Sequence, residues 1–378
     1  MKNHPSAYRS LLLGGAIAAI AIAIPATGNA ARTPTVIRGA AAPTVEVYAT
    51  GFNNPRGLKF GPDGALYVAE GGPGGSNSTV GLCEQVPDVG PYTGQRTGGR
   101  ISRVDSNGVR TTLTDRFPSS QTSPALGSLV SGVADIAWVN GTLYALTAGS
   151  GCSHGVRNTT NGVFRLSSNG SPVLVADLSA FQKAHPVANP EPDDFEPDGT
   201  WYSMVAVGKT LYALEPNHGE LDKINPGTGA ISRVADISAS QGHIVPSAMT
   251  YHAGVFYIGN LNTFPIVPGS SKILQVTQSG NVSTVKTNLT TVLGVTFDNL
   301  GRMYVLENTT VAGFPTPGTG DIVRFTGGKR EVLVSGLALP TAITYGPDGA
   351  LYVSNLGFGP PPSLPNGPGQ VLRIRLGD

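Results

Sequence analysis

Charged residues are scarce in this chain. They make up 13% of its 378 residues, whereas an average soluble protein has roughly 25%. The 25 Lys and Arg residues nearly balance the 24 Asp and Glu residues. Such a chain has no excess of positive charge to hold a phosphate backbone or an anionic membrane surface. Nucleic-acid binding is therefore excluded as its main function.

Long hydrophobic runs are also missing, apart from one near the N-terminus. Lys2 and Arg9 stand before an uncharged run over residues 11–24, and small residues follow at 28–30. This order is typical of a secretory signal peptide. A membrane anchor is the alternative, but the run spans about 21 Å as a helix, short of the roughly 30 Å hydrocarbon core. We expect residues 1–30 to be removed, leaving a secreted or periplasmic protein that is not attached to a membrane.

Cysteine is almost absent, which restricts metal and redox chemistry. Cys83 and Cys152 are the two cysteines, and neither lies in a CxxC motif. Two thiols cannot form a four-thiolate zinc site. In an oxidising compartment an even number of cysteines allows a disulfide. We predict a Cys83–Cys152 disulfide between two loops, in preference to a catalytic thiol.

Glycine and proline, in contrast, are abundant, with 51 and 30 residues. They interrupt every window long enough to hold a helix, and they lack a collagen period. One phrase recurs six times: an alternating apolar strand, a turn with Gly, and a second strand containing Tyr. The recurring tyrosines are Tyr67, Tyr144, Tyr212, Tyr257, Tyr304 and Tyr352. A repeat of this kind indicates one supersecondary unit per copy.

A second pair of short strands follows each copy, as in residues 99–114 and 162–178. Their SNG, GTG and GG turns are hairpin signals. Four strands per unit and six units predict an all-β fold, a six-bladed β-propeller with four-stranded blades.

The two ends of the chain predict how the ring closes. The sixth copy supplies three strands and stops at residues 370–375, whereas residues 45–51 resemble the fourth strand at residues 331–336. We predict that the N-terminal strand completes the last blade, which hides both sheet edges. Residues 31–43 are then a linker, and residues 44–378 form one domain.

Long connections fall on one face of the predicted propeller. They cover residues 71–98, 148–161, 177–200, 260–270, 308–320 and 355–369. Loops on a rigid scaffold often carry binding and catalysis, although insertions can also accumulate there without a function.

Several motifs resemble the ScyD/ScyE family. They are the phrase NPRGLKFGPDGALYVAE at residues 54–70, the Gly-rich loop after it, WYSM at 201–204 and EPNHG at 215–219. The resemblance covers the chain from about Val45 to its end. It implies an exported, NHL-like, six-bladed propeller of bacteria, from a family named for the cluster that makes an indolic-phenolic pigment, scytonemin. Many members come from bacteria without this pigment, so the pathway does not transfer with the fold.

Related propellers suggest where a site would lie. Gluconolactonase-type propellers hold a divalent metal through Glu, Asn and Asp at the channel-facing starts of the innermost strands. The matching positions here are Arg56, Ala134, Tyr202, Ser247, Leu293 and Thr341. This set has no carboxylate or Asn for a hard cation, although a shift of one residue would bring in Asp135. We do not expect such a lactonase, and we expect Arg56, Tyr202 and Asn217 to bind a ligand at the channel mouth.

A second polar ring follows the Tyr-containing strands. Its members are Glu70, Thr147, Glu215, Asn260, Glu307 and Asn355. One interpretation is a Ca²⁺ site with Glu70, Glu307 and Asn355 among its ligands. The other is that these residues cap strand ends by accepting backbone N–H groups.

Histidines are candidates for acid–base chemistry. His154, His185, His218 and His243 lie in long loops of the second to fourth blades, and Glu215 is three residues before His218. A Glu with one or two His can act as general acid and base, and streptogramin-lyase-like propellers use a His–Glu arrangement. Glu215, His218 and His243 are therefore the catalytic candidates, against the alternative of inert loop histidines. The chain lacks a Gly-x-Ser-x-Gly elbow.

An acidic, Pro-rich segment over residues 191–198 is either a loose Ca²⁺ site or a solvated loop. We favour the solvated loop, because the segment lacks the spacing of an EF-hand.

Two functions follow from these patterns. The first is an exported enzyme acting on a small, aromatic metabolite at the long-loop face. The second is a non-catalytic propeller that binds a small molecule or a protein partner. An enzyme requires Glu215 and His218 to converge in a pocket, whereas a scaffold is expected to present a flat apolar face. We expect a monomer in either case, with Ca²⁺ as the one candidate cofactor.

Overall fold

A computed structural model describes residues 42–190, 195–357, 359 and 367–377. The expected signal peptide, nearly all of the expected linker and residues 191–194 of the acidic segment lie outside these residues. Six antiparallel sheets follow one another along the chain. They form a six-bladed β-propeller, which confirms the predicted fold class.

The strands are numbered in chain order. The N-terminal strand and the first blade contain β1 (Thr44–Phe52), β2 (Pro55–Phe60), β3 (Leu66–Glu70), β4 (Asn77–Ser78), β5 (Thr93–Val104), β6 (Arg110–Gln121) and β7 (Val130–Ser131). The second and third blades contain β8 (Val133–Val139), β9 (Thr142–Thr147), β10 (Gly162–Leu166), β11 (Pro172–Asp177), β12 (Ser203–Val207), β13 (Thr210–Glu215), β14 (Glu220–Ile224) and β15 (Ile231–Asp236).

The remaining blades repeat this pattern. The fourth and fifth blades contain β16 (Pro246–His252), β17 (Val255–Asn260), β18 (Ser271–Val276), β19 (Val282–Leu289), β20 (Val292–Phe297), β21 (Met303–Glu307), β22 (Gly320–Thr326) and β23 (Lys329–Leu337). The sixth blade contains β24 (Ala342–Tyr345), β25 (Ala350–Asn355) and β26 (Gly369–Arg375), and it is completed by β1.

The N-terminal strand closes the ring as predicted. The last sheet has the order β1-β26-β25-β24, and Thr44 pairs with Arg375 in the antiparallel register of β1 and β26. Tyr48 of β1 packs edge-on against Tyr352 of β25, with ring centroids 5.1 Å apart. The first and last strands of the described residues, β1 and β26, therefore share one sheet.

The first blade is larger than the repeat predicts. Strands β5 and β6 have 12 residues each, and the pairing of Thr93 with Gln121 extends their hairpin beyond the other blades. The short strands β4 and β7 add to its ends. Part of the segment at residues 71–98, which the sequence suggested was a loop, is therefore paired strand.

The repeated Tyr has a local role in the PDG turns of the first and sixth blades. Tyr67 and Tyr352 donate hydrogen bonds to Asp63 and Asp348, over 3.2 and 3.0 Å. Each Asp also accepts the backbone N–H two residues later, and the next residue is Gly with a positive φ, as at Gly64. Gly tolerates that conformation, which the turn requires. The phrase PDG-x-LY therefore recurs because one turn recurs.

Neighbouring blades are joined near the channel by side-chain hydroxyls. Ser203 Oγ donates to the Ser247 carbonyl at 2.7 Å, and Ser247 Oγ donates to the Val292 carbonyl at 2.9 Å. Thr341 Oγ1 donates to the Pro55 carbonyl at 2.6 Å, which links the sixth blade to the first. Apolar residues fill the space between blades farther out. In the channel-facing ring, the hydroxyl groups of Ser247 and Thr341 thus bind backbone carbonyls of neighbouring blades.

Helices are few and short in the described residues. They are α1 (Leu178–Ala184), α2 (Ile237–Gln241) and a 3₁₀ turn at Pro124–Leu126. Asp177 and Asp236 cap α1 and α2 by accepting the Ala180 and Ala239 N–H groups. In the part of the chain that is described, no helix has the length and apolar character needed to cross a bilayer.

Candidate functional site

A cavity of about 630 Å³ opens at the mouth of the central channel. Its floor is formed by channel-facing residues at or just before the starts of the innermost strands, namely Arg56, Ala134, Tyr202, Ser247 and Leu293. These are five of the six positions that the sequence assigned to the channel ring. The alignment of the repeat therefore identified the floor of the cavity.

Long connections form the walls. Tyr92 comes from the segment before β5, Trp201 from the segment before β12 and Phe264 from the segment between β17 and β18. Glu196 and Asn217 add polar groups between them. Aromatic walls with a few convergent polar groups are characteristic of small-molecule sites.

Arg56 and Tyr202 are packed together at the floor. The Arg56 guanidinium lies 5.7 Å from the centroid of the Tyr202 ring, and its Nη2 donates to the Val130 carbonyl at 2.5 Å. The Tyr202 hydroxyl donates to the Thr341 carbonyl at 3.1 Å. Burial raises the pKa of Tyr202, with the Arg56 charge acting in the opposite direction. Both side chains are therefore held rigidly, which suits a fixed binding surface.

Below this floor lies a second cavity of about 80 Å³, which shares Tyr202 and Leu293 with the first. Its wall contains Asp135, the residue that a shifted alignment would have placed in the channel ring. Asp135 Oδ1 lies 2.5 Å from Lys59 Nζ, and Oδ2 accepts the Met204 N–H at 2.8 Å. Asp135 is thus part of the contact between the first three blades.

The three catalytic candidates do not come together. Glu215 is fully buried, and its carboxylate accepts the backbone N–H groups of Thr200 at 3.0 Å and His218 at 2.5 Å. The His218 ring instead contacts the Glu196 carbonyl through Nε2 at 3.1 Å. His243 and Asn217 line the cavity, whereas Glu215 and His218 are buried outside its lining. The predicted Glu215–His218 side-chain pair is therefore not formed.

Burial is the main cause of the shifted pKa values of Glu215 and His218. It raises the pKa of Glu215 to about 7, although four backbone N–H groups, His218 first among them, favour the ionised carboxylate. It lowers the pKa of His218, whose ring also lies 4.9 Å from the Phe195 ring. Burial therefore favours a neutral His218 imidazole, whereas the hydrogen bond to the Glu196 carbonyl favours the protonated ring.

Glu70, the first proposed metal ligand, is enclosed by donors. Its Oε2 accepts the Asn53 N–H at 2.6 Å and lies 2.5 Å from Arg100 Nη2. Its Oε1 accepts hydrogen bonds from Arg100 and from the Ser102 hydroxyl. The carboxylate is thus neutralised and saturated by the first blade.

Glu307 and Asn355 make the corresponding contacts in their own blades. Glu307 accepts the Thr290 N–H at 2.5 Å and lies 3.4 Å from Arg330. Asn355 Oδ1 accepts the Ala338 N–H at 3.0 Å. Burial raises the pKa of Glu307 to about 7. These contacts are those of strand-end caps.

The polar ring consequently does not fit a hard cation. Its oxygens are directed at backbone N–H groups and arginines, whereas Ca²⁺ takes six to eight converging oxygen ligands. Among the described residues, no group of three or more His, Cys, Asp and Glu side chains is placed to hold a metal ion.

The cysteines lie beside the cavity wall. Cys83 and Cys152 form a disulfide across a sequence separation of 69 residues. Thr79 adds a hydrogen bond to the Cys152 carbonyl. The disulfide thereby ties the segment that carries Tyr92 to the loop that carries His154.

Sequence reasoning missed a cluster formed by Tyr92, Glu196 and His154. The Tyr92 hydroxyl donates to Glu196 Oε1 at 2.9 Å, and His154 Nε2 lies 3.3 Å from Glu196 Oε2. Glu196 stands in the acidic segment that was interpreted as solvated, yet it is 1% exposed. The one available signal was Phe195, an apolar residue inside an otherwise acidic run, which indicates a segment packed against the protein.

His154 is wholly buried within this cluster. Burial lowers its pKa to about 4, against the opposing effect of the Asp198 charge. Its ring packs edge-on against Tyr92 with centroids 4.8 Å apart. At neutral pH the ring is therefore uncharged and acts as a fixed support for Glu196.

No protein-family model matches the chain, and no curated protein matches its sequence. Solved structures match it over most of its length. A protein from Thermus thermophilus described as an oxidoreductase (glucose dehydrogenase) has 18% identity and a TM-score of 0.53, covering 88% of this chain and 100% of that one. The chain is a six-bladed β-propeller.

Two further propellers are similar to the same degree. The soluble aldose sugar dehydrogenase of Escherichia coli has 13% identity and a TM-score of 0.51, covering 89% of this chain and 100% of that one. A protein described as a gluconolactonase has 10% identity and a TM-score of 0.51, covering 89% and 93%. At these identities the likeness concerns the fold, because one propeller fold hosts many unrelated functions.

Proposed function

We propose that this protein is an exported, monomeric ScyD/ScyE-like propeller of bacterial origin that binds a small aromatic metabolite at its long-loop face. The observation that carries the proposal is the cavity of about 630 Å³ at the channel mouth. This volume falls within the roughly 300–1,000 Å³ of known small-molecule sites.

The walls favour an aromatic ligand. Tyr92, Trp201, Tyr202 and Phe264 contribute rings from three of the blades and their connections. Aromatic side chains interact well with a ring that stacks or packs edge-on against them. The rings are also held in place: Trp201 is fully buried, and Tyr202 is pinned between Arg56 and the Thr341 carbonyl.

The proposal extends to catalysis on the bound metabolite. Glu215 and His218 are buried outside the cavity lining, whereas the lining contains Asp88, Glu196 and His243. These residue types serve as general acids and bases in enzymes.

A non-catalytic scaffold that docks a protein remains the second candidate. The observation in its favour is an apolar rim beside the cavity, where Phe264 stacks on Phe314 with ring centroids 5.4 Å apart. Phe314 is 58% exposed and Val267 is 61% exposed. Exposed apolar residues grouped in this way are characteristic of interaction surfaces.

The experiment uses Trp201 as the reporter. The chain has two tryptophans, so Trp138→Phe leaves Trp201 as the emitter. Titration with 7-methoxycoumarin, an aromatic probe that absorbs tryptophan emission, is expected to quench Trp201 with saturation. Ala134→Phe fills the floor and is expected to abolish quenching, whereas Ala230→Phe, in an exposed turn, is the matched control.

Two results would contradict this function. One is an absence of saturable quenching in the protein with an intact cavity. The other is equal quenching in the Ala134→Phe variant, which would place the probe outside the cavity.

A further inference from the structure

A carboxyl group of the third blade occupies a position that is apolar in most of the other blades. Asp222 of β14 pairs with the residue that follows the repeated Tyr of β13. Its equivalents in the other five blades, in chain order, are Ser102, Phe164, Leu274, Val323 and Leu372. Four of these five are apolar, so the architecture of a blade does not require a carboxyl group there.

The surroundings of Asp222 offer it few hydrogen-bond donors. The residue is fully buried, and in the part of the chain that is described neither of its carboxyl oxygens has a hydrogen-bond partner. The Trp201 indole N–H is the side-chain donor that acts on Asp222, but it lies outside ordinary hydrogen-bond geometry. An ionised carboxylate is strongly unfavourable in such a place, and the group keeps its proton instead.

A suitable acceptor for that proton lies on the same strand. Glu220 is two residues before Asp222, so both side chains lie on one face of β14. Arg233 Nε donates to Glu220 Oε2 at 2.5 Å, and its other nitrogens donate to the carbonyls of residues 185 and 186. Glu220 Oε1 has no hydrogen-bond partner among the described residues. A protonated Asp222 therefore has an acceptor oxygen beside it that no other group uses.

The charges around the two carboxyl groups favour one shared proton. Burial raises the pKa of Asp222 well above its ordinary value, the charges of Glu220 and Glu215 raise it further, and Arg233 lowers it. Burial also raises the pKa of Glu220 to about 7, with Glu215 acting in the same direction. Arg233 and His218 lower the pKa of Glu220. Three carboxyl groups thus surround one arginine, and neighbouring carboxyl groups in a buried site do not all ionise together.

Trp201 connects this pair of carboxyl groups to the cavity. Its ring belongs to the cavity wall, and its indole N–H is the donor that acts on Asp222. While Asp222 is neutral, the ring packs against an uncharged group. Loss of the proton leaves two carboxylates side by side, which repel each other and favour the entry of water. The packing behind the wall is then loosened.

We propose that Asp222 is a positioning residue for the Trp201 wall and acts through a proton that it shares with Glu220. Release of that proton to solvent weakens the binding of an aromatic ligand, so binding is tighter at acidic than at alkaline pH. This inference rests on the proposed function, because Trp201 lines the same cavity, and it adds a pH dependence to that function.

The test measures the affinity of the Trp138→Phe protein for 7-methoxycoumarin between about pH 6 and pH 9, an interval that includes the pKa of about 7 of Glu220. The probe has no titrating group in this interval, so any change in affinity comes from the protein. We expect the affinity to fall about tenfold as pH rises, which is within the usual range of coupling between two sites. Trp201 emission without the probe is expected to shift over the same interval.

Two variants identify the titrating group. Asp222→Asn is neutral at every pH and keeps a donor for Glu220, so we expect the affinity of the unmodified wall at pH 6 and no pH dependence of affinity or emission. Asp321→Asn is the matched control, because Asp321 pairs with Glu307 and is the equivalent of Glu220 in the fifth blade. Burial raises the pKa of Asp321 as well, but Asp321 lies outside the cavity lining. The pH dependence is therefore expected to remain in this variant.

Each outcome decides between the claims. An affinity and an emission that do not change with pH would overturn this inference and leave the proposed function intact. A pH dependence that persists in Asp222→Asn would also overturn it, because another residue would then be the titrating group. If the probe binds at no pH, the proposed function fails, while Trp201 emission still tests the shared proton. Should Asp222→Asn not fold, Asp222→Leu introduces the residue type of the fourth and sixth blades and is expected to remove the pH dependence in the same way.

Discussion

At the scale of single residues, position in the fold decides what a carboxyl group does. Glu70, Glu215 and Glu307 each end a Tyr-containing strand. Each accepts a backbone N–H from the segment that leads into its own blade. A buried N–H group without a partner is unfavourable, so these carboxylates have a structural task. Glu196, in contrast, lies in a segment outside the six repeated phrases, and it lines the cavity.

The buried caps predict a pH dependence of stability. The pKa of Glu307 is raised by burial to about 7, from an ordinary value of 4.5. The folded protein therefore binds more protons between these values, and its free energy of unfolding falls as pH rises from 4.5 towards 7. Glu307→Gln resembles the protonated form, so we expect equal stability at about pH 4 and a variant more stable by about 1–3 kcal/mol above pH 7.

Denaturant unfolding of both proteins across this range measures the effect. A difference between them that does not change with pH would contradict the assigned cause, because it would reflect packing rather than protonation of Glu307.

The same contacts predict that metal chelation leaves the thermal stability of the protein unchanged. Glu70 is bound by Arg100 and Ser102, and Asn355 by the Ala338 N–H. Melting curves with EDTA and with added Ca²⁺ are therefore expected to coincide, since a ligand that binds the folded state would raise the midpoint. A midpoint that drops with EDTA and recovers with Ca²⁺ would restore the metal-ring interpretation.

At the scale of elements, long connections build the cavity on a regular set of strands. The channel-facing starts of the strands supply the floor, and the segments near Tyr92, Trp201 and Phe264 supply the walls. Loops of this length have high conformational entropy, so they need anchors to form a rigid wall. The Cys83–Cys152 disulfide and the Tyr92–Glu196 hydrogen bond are two such anchors.

We expect the double variant Cys83→Ser, Cys152→Ser to lose both stability and binding. A disulfide that closes a long segment contributes about 2–4 kcal/mol by restricting the unfolded chain. Freeing the wall also loosens the contact of Tyr92 with Glu196. The measurements are the melting midpoint and the affinity for 7-methoxycoumarin, at a temperature where the variant is folded.

The unmodified protein under reducing conditions also lacks the Cys83–Cys152 disulfide but keeps both cysteines. Its comparison with the double variant separates the effect of losing the disulfide from the effect of the substitutions. An unchanged affinity in both cases would show that the wall holds without the disulfide.

At the scale of the whole molecule, closure of the ring is the cooperative element. Strand β1 is the outer strand of the sixth blade, and Tyr48 contacts Tyr352 across the sheet. The Thr341 hydroxyl and the Ser354 hydroxyl bond to carbonyls of the first blade. Without β1, the sixth blade would expose an unpaired strand and an apolar face.

Deletion of residues up to 52 is therefore expected to abolish a single cooperative unfolding transition and to promote aggregation. A chain that begins at residue 43 keeps β1 and is the control, with an expected melting midpoint equal to that of a chain that begins at residue 31. Circular dichroism melts and size-exclusion chromatography measure both properties. A soluble, cooperatively folding deletion variant would show that closure by β1 is dispensable.

Much of the architecture could be predicted from the sequence, because it rests on local chemistry that recurs. In the first and sixth blades the PDG turn bonds its Asp to a Tyr four residues later, and a Tyr at the same position of the strand marked the other four blades. Alternating apolar residues indicated the strands, and the similarity of two strand sequences indicated closure through β1. The channel-facing positions followed from the same alignment, and two of them, Arg56 and Tyr202, lie in the cavity lining.

Side-chain direction and long-range contact were decided by the tertiary structure. Glu215 and His218 are three residues apart, yet the carboxylate accepts the backbone N–H of His218 while the ring turns to the Glu196 carbonyl. Tyr92 and Glu196 are 104 residues apart and still share a hydrogen bond. Burial, which sets the pKa of Glu215 and His154, depends on neighbours from several blades. The sequence by itself thus determined the ring and its channel, and packing of the loops above that ring determined which polar groups a ligand can reach.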